Sequence, residues 1–117
     1  MAINYKVLGQ AVPSAANTWT PLLSGYSGGA VPSGKQVIVS SITVANLTAD
    51  DVLYRVRVRV AGEAAANKQI IVYDTAAAGG VSQALQLSMT LSAGDLVEIY
   101  APSTSIAFNI FGSEVDA

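Results

Sequence analysis

The chain contains no cysteine and no histidine. Without cysteine there is no disulfide framework and no thiolate chemistry. Without histidine, Cys/His zinc sites, Ser-His-Asp triads and imidazole acid–base catalysis fall away together. Charge is scarce as well: 12% of the 117 residues are charged, against about 25% in typical soluble domains. Six basic and eight acidic side chains give a net charge of −2. That balance argues against general nucleic-acid affinity, which rests on many Lys and Arg side chains set against phosphates. Long apolar runs are missing: no stretch approaches the roughly 18 residues of a membrane span. The opening MAINYKVLGQ lacks the charged-then-apolar pattern of a signal peptide. The expectation is a chain made in the cytosol, with neither a membrane nor nucleic acid as partner, and left soluble or assembled.

What is present is apolar and small. Hydrophobic residues make up 51% of the chain and the mean hydropathy is +0.45, high for a small free-standing monomer. Either the surface is rich in Ala, Ser, Thr and Gly, or apolar surface is buried against other subunits, where charge is depleted at the centre of a contact. The length fits one domain, residues 1–117, with one core.

Period-two alternation dominates the pattern. Residues 3–10 read as a first strand. Residues 18–23 (TWTPLL) read as a short second one, confined to an edge because Pro21 cannot donate to a ladder. Residues 24–34 (SGYSGGAVPSG) form a loop. Residues 35–46 (KQVIVSSITVAN) are the strongest strand signal, and their apolar positions change face near Ser40-Ser41, which predicts a bulge or bend. Residues 53–61 follow, with Tyr54, Val56, Val58 and Val60 toward the core. Residues 68–74 (KQIIVYD), a flexible turn at 75–80, and residues 81–91, 96–100 and 106–111 complete about eight strands. The one stretch with helical composition, GEAAANK at 62–68, is too short for more than a turn. Short strands separated by Gly/Pro/Ser turns predict an all-β, antiparallel, jelly-roll-like β-sandwich. The first five residues are a candidate extended arm.

RVRVRV at 55–60 holds three of the chain's six basic residues. On a strand, Arg55, Arg57 and Arg59 lie roughly 6.6 Å apart on one face. A single strand of nucleic acid could track such a strip, but sites of that kind interleave basic groups with exposed aromatics, and here the interleaved residues are valines. A solvated face and an ion-pair strip, across strands or between subunits, are the other readings, with Glu98, Asp74 and Glu63 as available carboxylates. Asp50-Asp51 reads as a solvated turn, since a Ca²⁺ site needs six to eight oxygens. The glycine-rich stretch at 25–29 opens no helix and so lacks the anion site of a phosphate loop. It reads equally as a flexible loop or as one that orders against a neighbour. Trp19, Tyr26 and Tyr73 could stack on sugars if exposed. Phe108 and Phe111 fall on different faces, so one of them is open to solvent or to a partner.

Two stretches carry a family resemblance. Tyr5-Lys6-Val7-Leu8-Gly9-Gln10 followed by Pro13-Ser14 resembles the start of small virion structural proteins of tailed bacteriophages, cyanophages in particular. Val31-Pro32-Ser33-Gly34-Lys35 with Val39-Ser40-Ser41-Ile42-Thr43-Val44-Ala45-Asn46 resembles a β-sandwich motif of phage capsid-accessory and tail proteins. Tyr54-Arg55-Val56 and the closing FNIFGSE at 108–114 are similar to the same group. The resemblance implies a virion component with no cofactor and no catalytic residue: a capsid decoration or cement protein, or alternatively a tail, neck or baseplate part that binds a receptor. By analogy with accessory proteins at threefold positions, it implies a homotrimer that contacts the phage major capsid protein. Arg55, Arg57, Arg59, Tyr26, Trp19 and Phe111 are the expected interface residues.

Overall fold

A computed structural model of the chain describes residues 3–117. Among these residues nine strands run in order: β1 (Ile3–Ala11), β2 (Thr20–Pro21), β3 (Lys35–Asn46), β4 (Val52–Arg59), β5 (Ile70–Ala77), β6 (Ser82–Leu85), β7 (Met89–Leu91), β8 (Leu96–Tyr100) and β9 (Ile106–Asp116). They form two sheets, one ordered β1-β9-β3-β6 with β7 also on β3, the other β2-β8-β4-β5. All of these strands pair antiparallel. Bending one long antiparallel hairpin across itself gives this order. The first strand meets the last, the second meets β8, the third meets β6 and β7, and the fourth meets the fifth. That arrangement is a jelly roll, the sandwich expected from the alternation. Residues 81–91 do not make one strand. The ladder on β3 breaks at residues 86–88, so one jelly-roll strand is divided into β6 and β7.

The face change predicted at Ser40-Ser41 is a bulge. Val39 pairs with Gly112 and Ser41 with Phe111, leaving Ser40 unmatched. Val37 and Val39 are buried before it, Ile42, Val44 and Asn46 after it. On the other side of β9, Val7 pairs with Phe111 and Gly9 with Ile110, so Leu8 is the extra residue. Two bulges thus grip β9 at one level and turn Leu8 and Ile42 into the core. A Cβ on Gly112 would overlap the Ile38 carbonyl, so this position requires glycine.

Leu8, Leu22, Leu23, Ile42, Ile99, Ile106 and Ile110 fill the space between the sheets around Tyr54 and Phe108. The last two rings meet edge-on at 5.7 Å. The turn from β3 to β4 is closed by buried Asn46. Its Nδ2 donates to the carbonyls of Asp50 and Ala77, both at 2.8 Å, and its Oδ1 accepts from the Thr48 amide and hydroxyl at 2.9 and 2.7 Å.

Several sequence expectations shift. Val60 lies past the end of β4 and is exposed rather than in the core. Residues 75–77 extend β5 instead of forming a flexible turn, because they pair with Val52, Leu53 and Tyr54. The last strand runs on to Asp116, opposite both β1 and β3. Of the candidate arm, Met1 and Ala2 lie outside the described residues, while residues 3–5 belong to β1 and pair with Val115, Glu114 and Ser113.

Candidate functional site

The outer surface of the four-stranded sheet carries the arginines. In the ladder, Arg55 faces Tyr100, Arg57 faces Glu98 and Arg59 faces Leu96. Residues directly opposite in a sheet share a side, so Tyr100 and Glu98 rise from β8 beside the guanidiniums. Arg57 Nε donates to Glu98 Oε1 at 2.7 Å, and Arg59 Nη1 lies 3.6 Å from Oε2 of the same carboxylate. Glu98 is only 7% exposed. Arg59 also donates through Nη2 to the Glu63 carbonyl at 2.9 Å.

Asp74 arrives by a different route. The β4–β5 register slips twice, between Tyr54 and Val56 and between Val56 and Arg57. Asp74 sits in the left-handed region at φ 47°, a conformation Asp tolerates better than most residues. The irregularity aims Asp74 at Arg55, whose Nε and Nη2 donate to Oδ1 at 2.7 Å and Oδ2 at 3.3 Å. This fork holds the Arg55 guanidinium further up its already high range, chiefly through the Asp74 hydrogen bond.

Aromatic rings complete the surface. The Arg55 guanidinium lies between the rings of Tyr73, 4.5 Å away, and Tyr100, 4.7 Å away. Tyr100 leans on Trp19 at 5.2 Å, and Arg57 lies 4.1 Å over the Trp19 ring. Tyr73, Arg55, Tyr100, Trp19 and Arg57 therefore form one continuous stack of rings and guanidiniums. Beside it opens a cleft of about 610 Å³, lined by Trp19, Arg55, Arg57 and Tyr73 together with Ala65, Ala66, Asn67 and Ile70.

Aromatics absent from the arginine side of β4 are supplied by its neighbours. The absence of rings beside the arginines, inferred from RVRVRV alone, is corrected by cross-strand pairing and by the segment before β2. Tyr100 was missed in sequence, although LVEIY places Glu98 and Tyr100 on one side of a strand just as RVR places its arginines.

The other two expected residues lie elsewhere. Tyr26 packs over β1 and β9, donating its hydroxyl to Glu114 Oε1 at 2.8 Å, with Lys6 Nζ 5.2 Å from its ring. Burial, then the Glu114 hydrogen bond and charge, push the Tyr26 phenol up to about 12. Glu114 is held below its usual range, chiefly by the Tyr26 hydrogen bond and further by the charges of Lys6 and Lys35. The glycine-rich loop is tied to its own chain, with Gly25 donating to the Leu8 carbonyl and Ala30 bridging to Leu96. Phe111 is half-buried on the outer surface of the five-stranded sheet, opposite Val7 and Ser41.

No protein-family model matches the chain, and no curated protein matches it in sequence. Its fold is similar to that of a chain in the structure of infectious bursal disease virus, Gx strain. The TM-score is 0.53 at 8% identity, over 97% of this chain and 32% of that one. The chain thus spans about a third of that longer chain's length. At this identity the likeness concerns the fold: a jelly-roll sandwich, here with one outer surface of stacked arginines and aromatics and one of apolar side chains.

Proposed function

We propose that this chain is a non-enzymatic structural protein of a virion, and specifically a decoration or cement protein on the head of a tailed bacteriophage. The carrying observation is the outer surface of the five-stranded sheet. Its cross-strand rows read Ile3–Val115–Gln36, Tyr5–Ser113–Ile38 and Val7–Phe111–Ser41. Tyr5 is 85% exposed and Ile3 54%, and Val7 and Ile38 are open as well. The solvent side of an antiparallel sheet is ordinarily polar. Five clustered apolar side chains, Ile3, Tyr5, Val7, Ile38 and Phe111, call for a covering protein surface.

The role is mechanical. Each subunit lays this surface against the major capsid protein or a neighbouring copy, and a trimer at a threefold position shares the load among three such contacts. Support comes from the phage-like sequence stretches and from the occurrence of the same fold in a virus structure. The lack of histidine and cysteine in the sequence fits a part that does no chemistry. A tail or baseplate receptor-binding part is the second reading, favoured by the open aromatic cleft on the opposite surface.

Antibody-gold labelling of intact particles tests the proposal. Label spread over heads is the expected result. Label confined to tails would replace the head reading with the second one, and particles without label would refute a virion role altogether.

A further inference from the structure

We infer that the cleft beside the arginine–aromatic stack binds a pyranose bearing a carboxylate, such as a uronic or sialic acid unit of a surface polysaccharide. Its volume of about 610 Å³ falls within the range of small-ligand sites. Its walls offer what such a sugar needs. Tyr73 has one side on Arg55 and is 62% exposed, so ring surface remains for the C–H face of a sugar. Trp19 lines the cleft, and its ring is fixed from two directions, by Tyr100 and by Arg57. Rings held in place before binding lose little entropy on it.

The polar groups fit the carboxylate. Arg57 uses Nε on Glu98, and its two η nitrogens make no hydrogen bond among the described residues. Arg55 uses Nε and Nη2 on Asp74, which leaves Nη1. Free guanidinium donors line the cleft from adjacent same-side positions of β4, a geometry suited to a planar carboxylate. Also in the lining, Ala65 and Ala66 leave room, and the Asn67 amide is available to sugar hydroxyls.

Charge selects one anionic group rather than a polyanion. On this surface three arginines face Asp74 and Glu98, while Lys68 is matched by Glu63 at 2.6 Å. The excess is a single positive charge, in a chain of net −2. Nucleic acid, which draws its affinity from many phosphate contacts, is poorly served by that balance. Binding in this cleft requires no particular position of the subunit on a particle.

Trp19 is the chain's sole tryptophan, so its fluorescence reports on this cleft alone. The probes are galacturonic acid, N-acetylneuraminic acid, a neutral malto-oligosaccharide and a short oligo(dT), each titrated into the full chain. The expected result is a saturable change with an acidic sugar, at least tenfold weaker with the neutral one. Tyr73→Ala, which removes an exposed ring, and Arg57→Lys, which keeps the charge but loses the fork, should each weaken it at least tenfold, with thermal melts verifying that the variants fold. No saturable change with either acidic sugar overturns the inference. So does binding that both variants leave intact, or tighter binding to oligo(dT) that falls steeply with salt.

Discussion

Glu98→Gln tests whether the arginine surface stabilises the fold. Glu98 meets two guanidiniums, at 2.7 and 3.6 Å, and its side chain is 9% exposed while that of Arg57 is 12% exposed. At an effective dielectric constant of about 20, a pair of unit charges about 4 Å apart interacts by roughly 4 kcal/mol. Desolvation of the carboxylate opposes part of that gain. The substitution relieves this desolvation at position 98 but leaves two arginines on a surface built around a negative charge. Breaking a buried pair on one side costs about 3–5 kcal/mol. The residual exposure of the arginines and the carbonyl that Gln still offers to Arg57 lower this to about 2–3 kcal/mol. For a chain of this size that is a fall in Tm of roughly 8–12 °C, measured by calorimetry together with urea unfolding. The double variant Arg57→Met/Glu98→Leu removes both charges and keeps apolar bulk, and should return to within about 1 kcal/mol of the parent. A loss below about 0.5 kcal/mol in Glu98→Gln would refute the reasoning, since the pair would then behave like an exposed surface bridge.

Tyr54→Phe should raise stability by about 1 kcal/mol, read by urea unfolding, because the Tyr54 hydroxyl is buried without a hydrogen-bond partner among the described residues. Asn46→Ala should cost about 2–4 kcal/mol, since it leaves the Asp50 and Ala77 carbonyls without their side-chain donor and removes the Thr48 acceptor. The Tyr26 phenol should titrate near 12 by absorbance at alkaline pH, a step missing from Tyr26→Phe. Because the folded value lies above the unfolded one, this group's contribution is complete below an unfolded phenol's pKa of about 10 and is lost as pH rises toward 12. Glu114 runs the other way. Its folded pKa is depressed, so its contribution is present above the usual carboxylate range and is lost as pH falls through the lowered value. The acid limb of a stability–pH curve should therefore flatten in Tyr26→Phe.

Alternation carried the fold because both sheets bury one side, so each strand writes its orientation into every second residue. KQVIVSSITVAN even marked its bulge, because an extra residue inverts the parity of everything after it. Parity did not reveal the division at 86–88: Leu85, Leu87, Met89 and Leu91 keep their phase while the backbone ladder on β3 is interrupted. The turn read at 75–80 is confined to 78–80 for a related reason. Thr, Ala and Gly do not distinguish a loop from a strand, and β5 is held there by its pairing with β4. At the site, the arginines and their carboxylates were legible by residue type, but their registers were not. Two slips between β4 and β5 aim Asp74 at Arg55, and a segment of low sequence signal brings Trp19 to Arg57. These are long-range placements that no local pattern encodes.

The scarcity of charge takes on a different meaning once the two surfaces are separated. Of the six basic residues, the three arginines lie on one sheet and are matched there to Asp74 and Glu98, while Lys6, Lys35 and Lys68 meet Glu114, Asp116 and Glu63. Each of the six basic side chains thus meets a carboxylate, although Arg57 and Arg59 share Glu98, and little unmatched positive charge remains to hold copies of the protein apart. The five-stranded sheet adds apolar rows facing outward, from Ile3 to Phe111. Weak mutual repulsion and one apolar surface together favour close packing of many subunits. On the other sheet, guanidiniums packed over aromatic rings line an open cleft where an isolated strip of arginines would be solvated. If the apolar surface is the one covered in an assembly, the cleft on the opposite sheet faces away from the covered side.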